Sequence, residues 1–151
     1  MKKISELIVP EGIILDIKSS DKISVIKELS QILIEKNMIS DPNEFFEAIL
    51  KRENLESTGI GQGVAIPHAR TKAVKNIVVI FGRSQTGVDF NSLDGKPSHI
   101  IFLIAAPEDK KTEYIITLAK LSKFIRKDEV REKLLKATSK EEVIEIIKTH
   151  E

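Results

Sequence analysis

The sequence predicts an α/β layered domain, and three observations carry the prediction. Apolar residues recur every three or four positions early in the chain and again in its last third, the period of half-buried helices. Between those regions, residues 64–67, 77–81 and 100–104 are short apolar runs bounded by glycine, proline or charge. Runs apolar on both faces suit strands that helices cover on two sides. No repeat, low-complexity tract or Pro/Gly/Ser-rich linker divides the 151 residues, so a single domain over residues 1–151 is expected.

The elements follow in order. A short helical turn is expected at residues 4–7, and Gly12 leads into a strand over residues 13–17. Asp21 then opens a helix to about Lys36, with Val25, Ile26, Leu29, Ile32 and Leu33 on one face. A second helix carries explicit start signals: Asp41 as cap, Pro42 at the first helical position and Glu44 three residues after the cap. Its apolar stripe is Phe45, Phe46, Ile49 and Leu50, and it is expected to end before Gly59. The three apolar runs come next, joined through the turn-rich Ser84-Gln85-Thr86-Gly87 and through Asp94-Gly95. Ile115, Leu118, Ala119, Ser122 and Ile125 then keep helical spacing, and a shorter helix covers residues 130–136. Ser139 with Glu142 forms a capping box for a last helix bearing Val143, Ile146 and Ile147.

Composition excludes several classes of function. With 24 basic and 23 acidic side chains the formal charge is +1, which gives no general attraction to nucleic acid or anionic lipid. Any anion must therefore be bound locally. The chain has no cysteine, so disulfides, thiolate catalysis and Cys-ligated zinc are excluded. Residues 1–12 are too polar, and too soon interrupted by Pro10, for a secretory signal, and the longest apolar run, residues 100–107, is far too short to span a bilayer. A soluble protein of the cytoplasm, without membrane insertion, is expected.

The chemistry concentrates in residues 52–68, Arg-Glu-Asn-Leu-Glu-Ser-Thr-Gly-Ile-Gly-Gln-Gly-Val-Ala-Ile-Pro-His. Three glycines alternate over five residues, and four further residues then deliver a histidine directly after a proline. Alternating glycines allow tight turns and close approach, and they can present backbone N–H groups to an anion. Pro67 does not continue a central strand, so His68 is expected at a strand end and facing a surface. An imidazole, with an ordinary pKa of about 6.5, is largely an uncharged nucleophile near neutral pH and can form a covalent intermediate with a transferred group. Phosphoryl transfer to such a ring needs cationic or N–H neighbours for the equatorial oxygens. Arg52 is the evident cation; Ser57, Thr58 and the loop amides are auxiliary donors.

This extended motif resembles the active-site signature of fructose/mannitol-type enzyme IIA domains of the sugar phosphotransferase system, including their nitrogen-regulatory branch. Gly87-Val88-Asp89-Phe90, Leu93-Asp94-Gly95-Lys96-Pro97 and Phe102-Leu103-Ile104-Ala105-Ala106-Pro107 are similar to that family as well, so the likeness spans nearly the whole chain. The resemblance implies one α/β domain on a mixed sheet flanked by helices on both faces. It also implies that His68 accepts a phosphoryl group on Nε2 from the phosphocarrier protein HPr or a paralogue, near Arg52, and passes it to a cysteine of a IIB domain. No metal or organic cofactor is implied. One departure is visible: many family members carry a second histidine near the start of the first C-terminal helix, and Lys111-Thr112-Glu113-Tyr114 contains none. Within that stretch a lysine would supply positive charge and a glutamate would repel a phosphoryl group.

Other residues weigh less. His99 starts an apolar strand, where a satisfied core histidine is the default, and His150 is expected in solvent. Arg70, two residues past His68, is read equally as a surface charge or as a neighbour of the site. The histidines have no metal-ligand spacing with carboxylates, and the glycine loop matches neither a P-loop nor a dinucleotide fingerprint. The leading expectation is a phosphohistidine carrier of the phosphotransferase system. The alternative is a regulatory, nitrogen-type binding module whose phosphorylation state controls a transporter, kinase or other regulator. A weaker third reading is a small-molecule binding domain that keeps the fold without the chemistry; intact Arg52 and His68 speak against it.

Overall fold

The structure is a computed structural model that describes residues 2–151. The chain begins with a helical turn, α1 (Ile4–Leu7), and a 3-10 turn at Pro10–Gly12, then enters the sheet as β1 (Ile13–Ile14). The strand expected over residues 13–17 is thus only two residues long. Beyond Ile14 the ladder gives way to single bonds with Arg83: its backbone carbonyl accepts from Ile17 N–H (2.8 Å) and its side-chain Nε donates to the Leu15 carbonyl (3.1 Å).

Helices α2 (Lys22–Glu35) and α3 (Pro42–Leu55) start where their caps predict. The Asp21 and Asp41 carboxylates accept from Ser24 N–H (2.9 Å) and Glu44 N–H (3.2 Å), satisfying donors that have no partner within the helix. After the sheet come α4 (Lys111–Ile125), α5 (Asp128–Lys136) and α6 (Lys140–His150). Ser139 Oγ caps α6 by accepting from Glu142 N–H (3.1 Å), and the Glu142 carboxylate reaches back to Thr138 N–H (2.7 Å), one residue beyond the usual capping-box partner.

The sheet centres on the antiparallel pair β5 (Val78–Val88) and β6 (Ser98–Ala106). β1 runs parallel to β5, β3 (Val64–Ala65) and β4 (His68–Arg70) both run parallel to β6, and β2 (Gly59–Gly61) is antiparallel to β3. Ser84-Gln85-Thr86-Gly87, expected as a connection, lies inside β5. Its turn chemistry makes a bulge instead: Ser84 Oγ accepts from Gly87 N–H (3.0 Å), Gly87 has φ +90°, and the register with β6 shifts between Arg83 and Val88. The real connection runs through Asp94-Gly95.

Strand alternation divides the core in two. On β6, Ile100, Phe102 and Ile104 pack with residues of α1, α4, α5 and α6, whereas Ile101, Leu103 and Ala105 pack with those of α2 and α3. The result is a mixed sheet flanked by helices on both faces, as the sequence predicts. No described helix is long and apolar enough to cross a membrane.

Candidate active site

The end of α3 and the glycine-rich turn build one wall of the site. Glu53, only 5% exposed, accepts from both the backbone N–H of Thr58 (2.9 Å) and its hydroxyl. The same carboxylate pairs with Lys22 Nζ (3.4 Å), which also donates to Asn91 Oδ1 (2.8 Å). A buried carboxylate is tolerable here because its oxygens are met by donors and a cation. Ser57 Oγ donates to the Phe90 carbonyl and accepts from Gly59 N–H (3.0 Å). The hydroxyls of Ser57 and Thr58 therefore shape the loop through bonds within the protein. A glycine stands at position 59 because a Cβ would come within 2.2 Å of Ser92 Oγ and 3.0 Å of Phe90 Cβ.

The histidine is delivered by an interrupted strand. Val64 and Ala65 pair with Ile100 and Ile101 of β6, and His68 pairs with Ile104, so the register passes through Pro67 unchanged. Pro67 has no N–H to give the ladder, but its carbonyl accepts from Ile104 N–H (3.0 Å). His68 is thus at a strand end, as expected, but it does not face a surface. It is 8% exposed, with its ring against that of Tyr114 on α4, centroids 5.8 Å apart and planes tilted by 58°. The strand resumes beside β6 after the proline, and the first turns of α4 cover it.

His68 Nδ1 lies 2.7 Å from the carbonyl oxygen of Ile66. A carbonyl only accepts, so Nδ1 carries the proton and Nε2 keeps its lone pair. Burial holds the imidazole below its ordinary pKa; the Ile66 bond opposes this, Arg52 adds to it, and Glu53 opposes it. Burial pushes the Tyr114 phenol up to about 12, against the influence of Arg52 and Arg70. Arg52, half-buried at the end of α3, uses one guanidinium nitrogen on the Glu56 carbonyl (2.8 Å), and Arg70 uses one on the Glu108 carbonyl. A neutral nucleophilic nitrogen, two guanidiniums, a phenol and a buried carboxylate are therefore brought together. Such a set can accept, hold and release a phosphoryl group.

Tyr114 is the residue of the 111–114 stretch that meets His68. Lys111 and Thr112 are exposed, and Glu113 pairs with Lys110 (3.6 Å). The helical position of Tyr114, two turns before the fully buried Leu121, is the sequence signal that turns it inward. Glu53 was legible only as the partner of Arg52 in an Arg-Glu pair. His99 lies five residues from Ile104 along β6, about 16 Å from the His68 level, and its Nδ1 is 2.9 Å from the Ser84 carbonyl. His150 is half-buried rather than solvated, with Nε2 3.4 Å from Lys133 Nζ. Among the described residues no group of three or more His, Cys, Asp or Glu side chains is arranged to hold a metal.

Residues 6–150 match the family model described as phosphoenolpyruvate-dependent sugar phosphotransferase system, EIIA 2, and the chain belongs to that family. It is 44% identical over 149 residues to the fructose-specific EIIABC component of Bacillus subtilis, covering 99% of this chain and 24% of that longer protein. Its fold superposes on the nitrogen regulatory protein IIA-Ntr of Neisseria meningitidis with a TM-score of 0.89 and 36% identity, over 95% of this chain and 98% of the other. It also superposes on the mannitol enzyme IIA of Escherichia coli, solved in complex with phosphorylated enzyme IIB, with a TM-score of 0.79 and 27% identity, over 92% and 95% of the two chains.

Proposed function

We propose that this chain is a cytoplasmic phosphocarrier of the phosphotransferase system that takes a phosphoryl group on His68 Nε2 from HPr or a paralogue and gives it to a cysteine of a IIB domain. The observation that carries the reading is the Nδ1 contact with the Ile66 carbonyl, which leaves Nε2 free beside Arg52. In the forward step the Nε2 lone pair attacks phosphorus while the donor's N–P bond breaks and its electron pair returns to the donor imidazole. His68 gains imidazolium character, which the Ile66 carbonyl and Glu53 favour, while Arg52 meets the phosphoryl oxygens. In the second step a IIB thiolate attacks phosphorus, the Nε2–P bond breaks, and the lone pair returns to Nε2. Ser57 and Thr58 act by fixing the loop that places Arg52 and the neighbouring amides. No cofactor is required, because the donor already carries the activated phosphoryl group. The solved complex of a related IIA with phosphorylated IIB supports the choice of acceptor.

The test is intact-mass analysis after incubation with phosphoenolpyruvate, enzyme I and HPr. The expected result is one acid-labile phosphoryl group on the wild type and none on His68→Gln. A phosphoryl group retained by that variant would place the chemistry elsewhere.

The likeness to a nitrogen regulatory protein favours a second reading, a module whose partners change when His68 is phosphorylated. A phosphoryl group adds about −1.5 to −2 charges to one patch. Pull-downs with the two forms, set beside transfer to IIB domains, separate the readings: a partner held by one form only, with no transfer to IIB, selects the second.

A further inference from the structure

We propose that Tyr114 is the neutral hydrogen-bond donor to the phosphoryl group on His68, and that this choice of donor frees the phosphorylated state from a second titrating imidazole. The inference rests on the phosphocarrier reading and names the group that holds its product.

Three observations carry it. The Tyr114 and His68 rings pack with centroids 5.8 Å apart and planes tilted by 58°, so the two side chains meet at the start of α4. The phenol hydroxyl of this half-buried residue makes no hydrogen bond within the described residues and is not among the buried atoms left without a partner, so it is open to an incoming oxygen. Arg52 from α3 and Arg70 from β4 both act on the phenol, and Arg52 acts on the imidazole too, so the charges that would meet a phosphoryl group converge on this pair of rings. Each of those arginines is tied to a backbone carbonyl through Nη1, which leaves its remaining N–H groups for an anion held beside the phenol.

The charged groups that act on this pair are Arg52 and Glu53 from α3 and Arg70 from β4; at the start of α4, Lys110 and Glu113 pair with each other and Lys111 is exposed. Guanidiniums remain charged at every working pH, and the phenol keeps its proton far above neutrality. Tyr114 therefore donates the same hydrogen bond throughout the neutral range. No bond to Tyr114 forms or breaks: the phosphoryl group moves between the donor, Nε2 and the acceptor, and the phenol proton stays where it is.

The experiment compares wild type, Tyr114→Phe and Tyr114→His in the equilibrium constant for phosphoryl exchange with HPr, read by intact mass at fixed ratios of the two proteins. Tyr114→Phe keeps the ring and its packing and removes only the donor, so its fold, checked by circular dichroism, should be unchanged. Its equilibrium constant is expected to shift about tenfold to a hundredfold toward phospho-HPr, the scale of one hydrogen bond to a charged group. The ratio of the Tyr114→His constant to that of wild type is expected to bend near pH ~6.5, where an imidazole titrates. A Tyr114→Phe constant within about twofold of wild type would reduce Tyr114 to packing, since a phosphoryl hydrogen bond is worth more than that. A pH-independent ratio for Tyr114→His would overturn the second half of the proposal. Failure of the phosphocarrier reading is distinguishable: wild type itself would then gain no mass while HPr does.

Discussion

The carbonyl oxygen of Ile66 lies 2.7 Å from Nδ1 of His68, two residues further along the same chain. This contact joins the fold to the chemistry. Ile66 gives its N–H to the Thr58 carbonyl (3.0 Å) and Pro67 gives its carbonyl to Ile104, so the segment that selects the histidine's tautomer is anchored to β2's approach on one side and to β6 on the other. The backbone, rather than a partner carboxylate, decides which ring nitrogen is free.

Stability should depend on pH through His68, with a sign set by burial. The folded-state pKa lies below the ordinary value, chiefly through desolvation, whereas the unfolded chain's histidine titrates near ~6.5. Above about pH 6.5 the ring is neutral in both states and the linkage is silent. As pH falls below that value the unfolded chain takes up the proton first, so stability falls, until the pH passes the folded-state pKa and the loss levels off. Urea unfolding from about pH 8 to about pH 5 should show wild type losing more stability than His68→Gln, which has no such proton. Parallel curves for the two proteins would mean that the buried ring is not desolvated.

Glu53 is expected to be worth more to the fold than an ordinary helix-end carboxylate. Glu53→Ala leaves the Thr58 N–H and hydroxyl without their acceptor and removes the partner of Lys22, a loss of about 3 kcal/mol. Thr58→Val removes only the hydroxyl and should cost about 1 kcal/mol. Because the two side chains touch, the double variant should be less destabilised than the sum of the singles, by about 0.5 kcal/mol or more. Urea titrations of the four proteins make the cycle, and strict additivity would mean that Glu53 does not act through Thr58.

The helices are legible in the sequence because their signals are local. Asp21, Asp41 and Ser139 cap where composition places them, and apolar spacing fixes which faces are buried. The sheet is legible only in its long apolar runs. β2 and β4 are three residues each, one glycine-rich and one directly after a proline, and they exist because β3 and β6 supply partners that no local pattern announces. Ser84 to Gly87 carries turn chemistry and still lies in a strand, since a bulge uses the same residues as a turn. In the site, His68 and Arg52 stand out through the motif, while Tyr114 lies 46 positions beyond His68 and meets it only when α4 folds back over β4. The burial of His68 follows from that same contact, which is why the sequence points to a surface and the structure to a covered side chain.

Gly59 is a test of how tightly the loop must close. A methyl group there would meet Ser92 Oγ, Phe90 Cβ and the Ser92 backbone at 2.2, 3.0 and 3.2 Å, and the backbone contact has no side-chain freedom to relieve it. Gly59→Ala is expected to cost about 1–3 kcal/mol through overpacking. It should also slow phosphoryl acceptance, because Ser57 loses its bond from the Gly59 amide as the loop shifts. Ser92→Ala in the same chain removes the nearest atom and should restore part of the stability. Equal thermal midpoints for Gly59→Ala and wild type would show that the loop accommodates a Cβ.

Arg83 offers the converse case, a cation that matters to the fold and not to the site. Its Nε donates to the Leu15 carbonyl (3.1 Å), while one terminal nitrogen donates to the carbonyls of Leu134 (3.0 Å) and Ala137 (2.5 Å). It thus closes the C-terminal end of α5, whose last carbonyls have no partner within the helix, and ties that end to the chain after β1. Arg83→Met should lose about 1–2 kcal/mol, since partly buried carbonyls are left without a donor while the apolar stem is kept. Arg83→Lys should recover only a part of this, because one ammonium at the end of a flexible stem does not reproduce a planar fork spanning both segments. Phosphoryl acceptance by the folded fraction should be unchanged in both variants, as Arg83 lies on β5 far along the sheet from His68. The measurement is a pair: urea unfolding for stability, and intact mass for acceptance at a temperature where each variant is folded. If acceptance fell in step with stability although the protein stayed folded, the end of α5 and the side chains around His68 would have to be coupled through the sheet, and Arg83 would belong to the site after all.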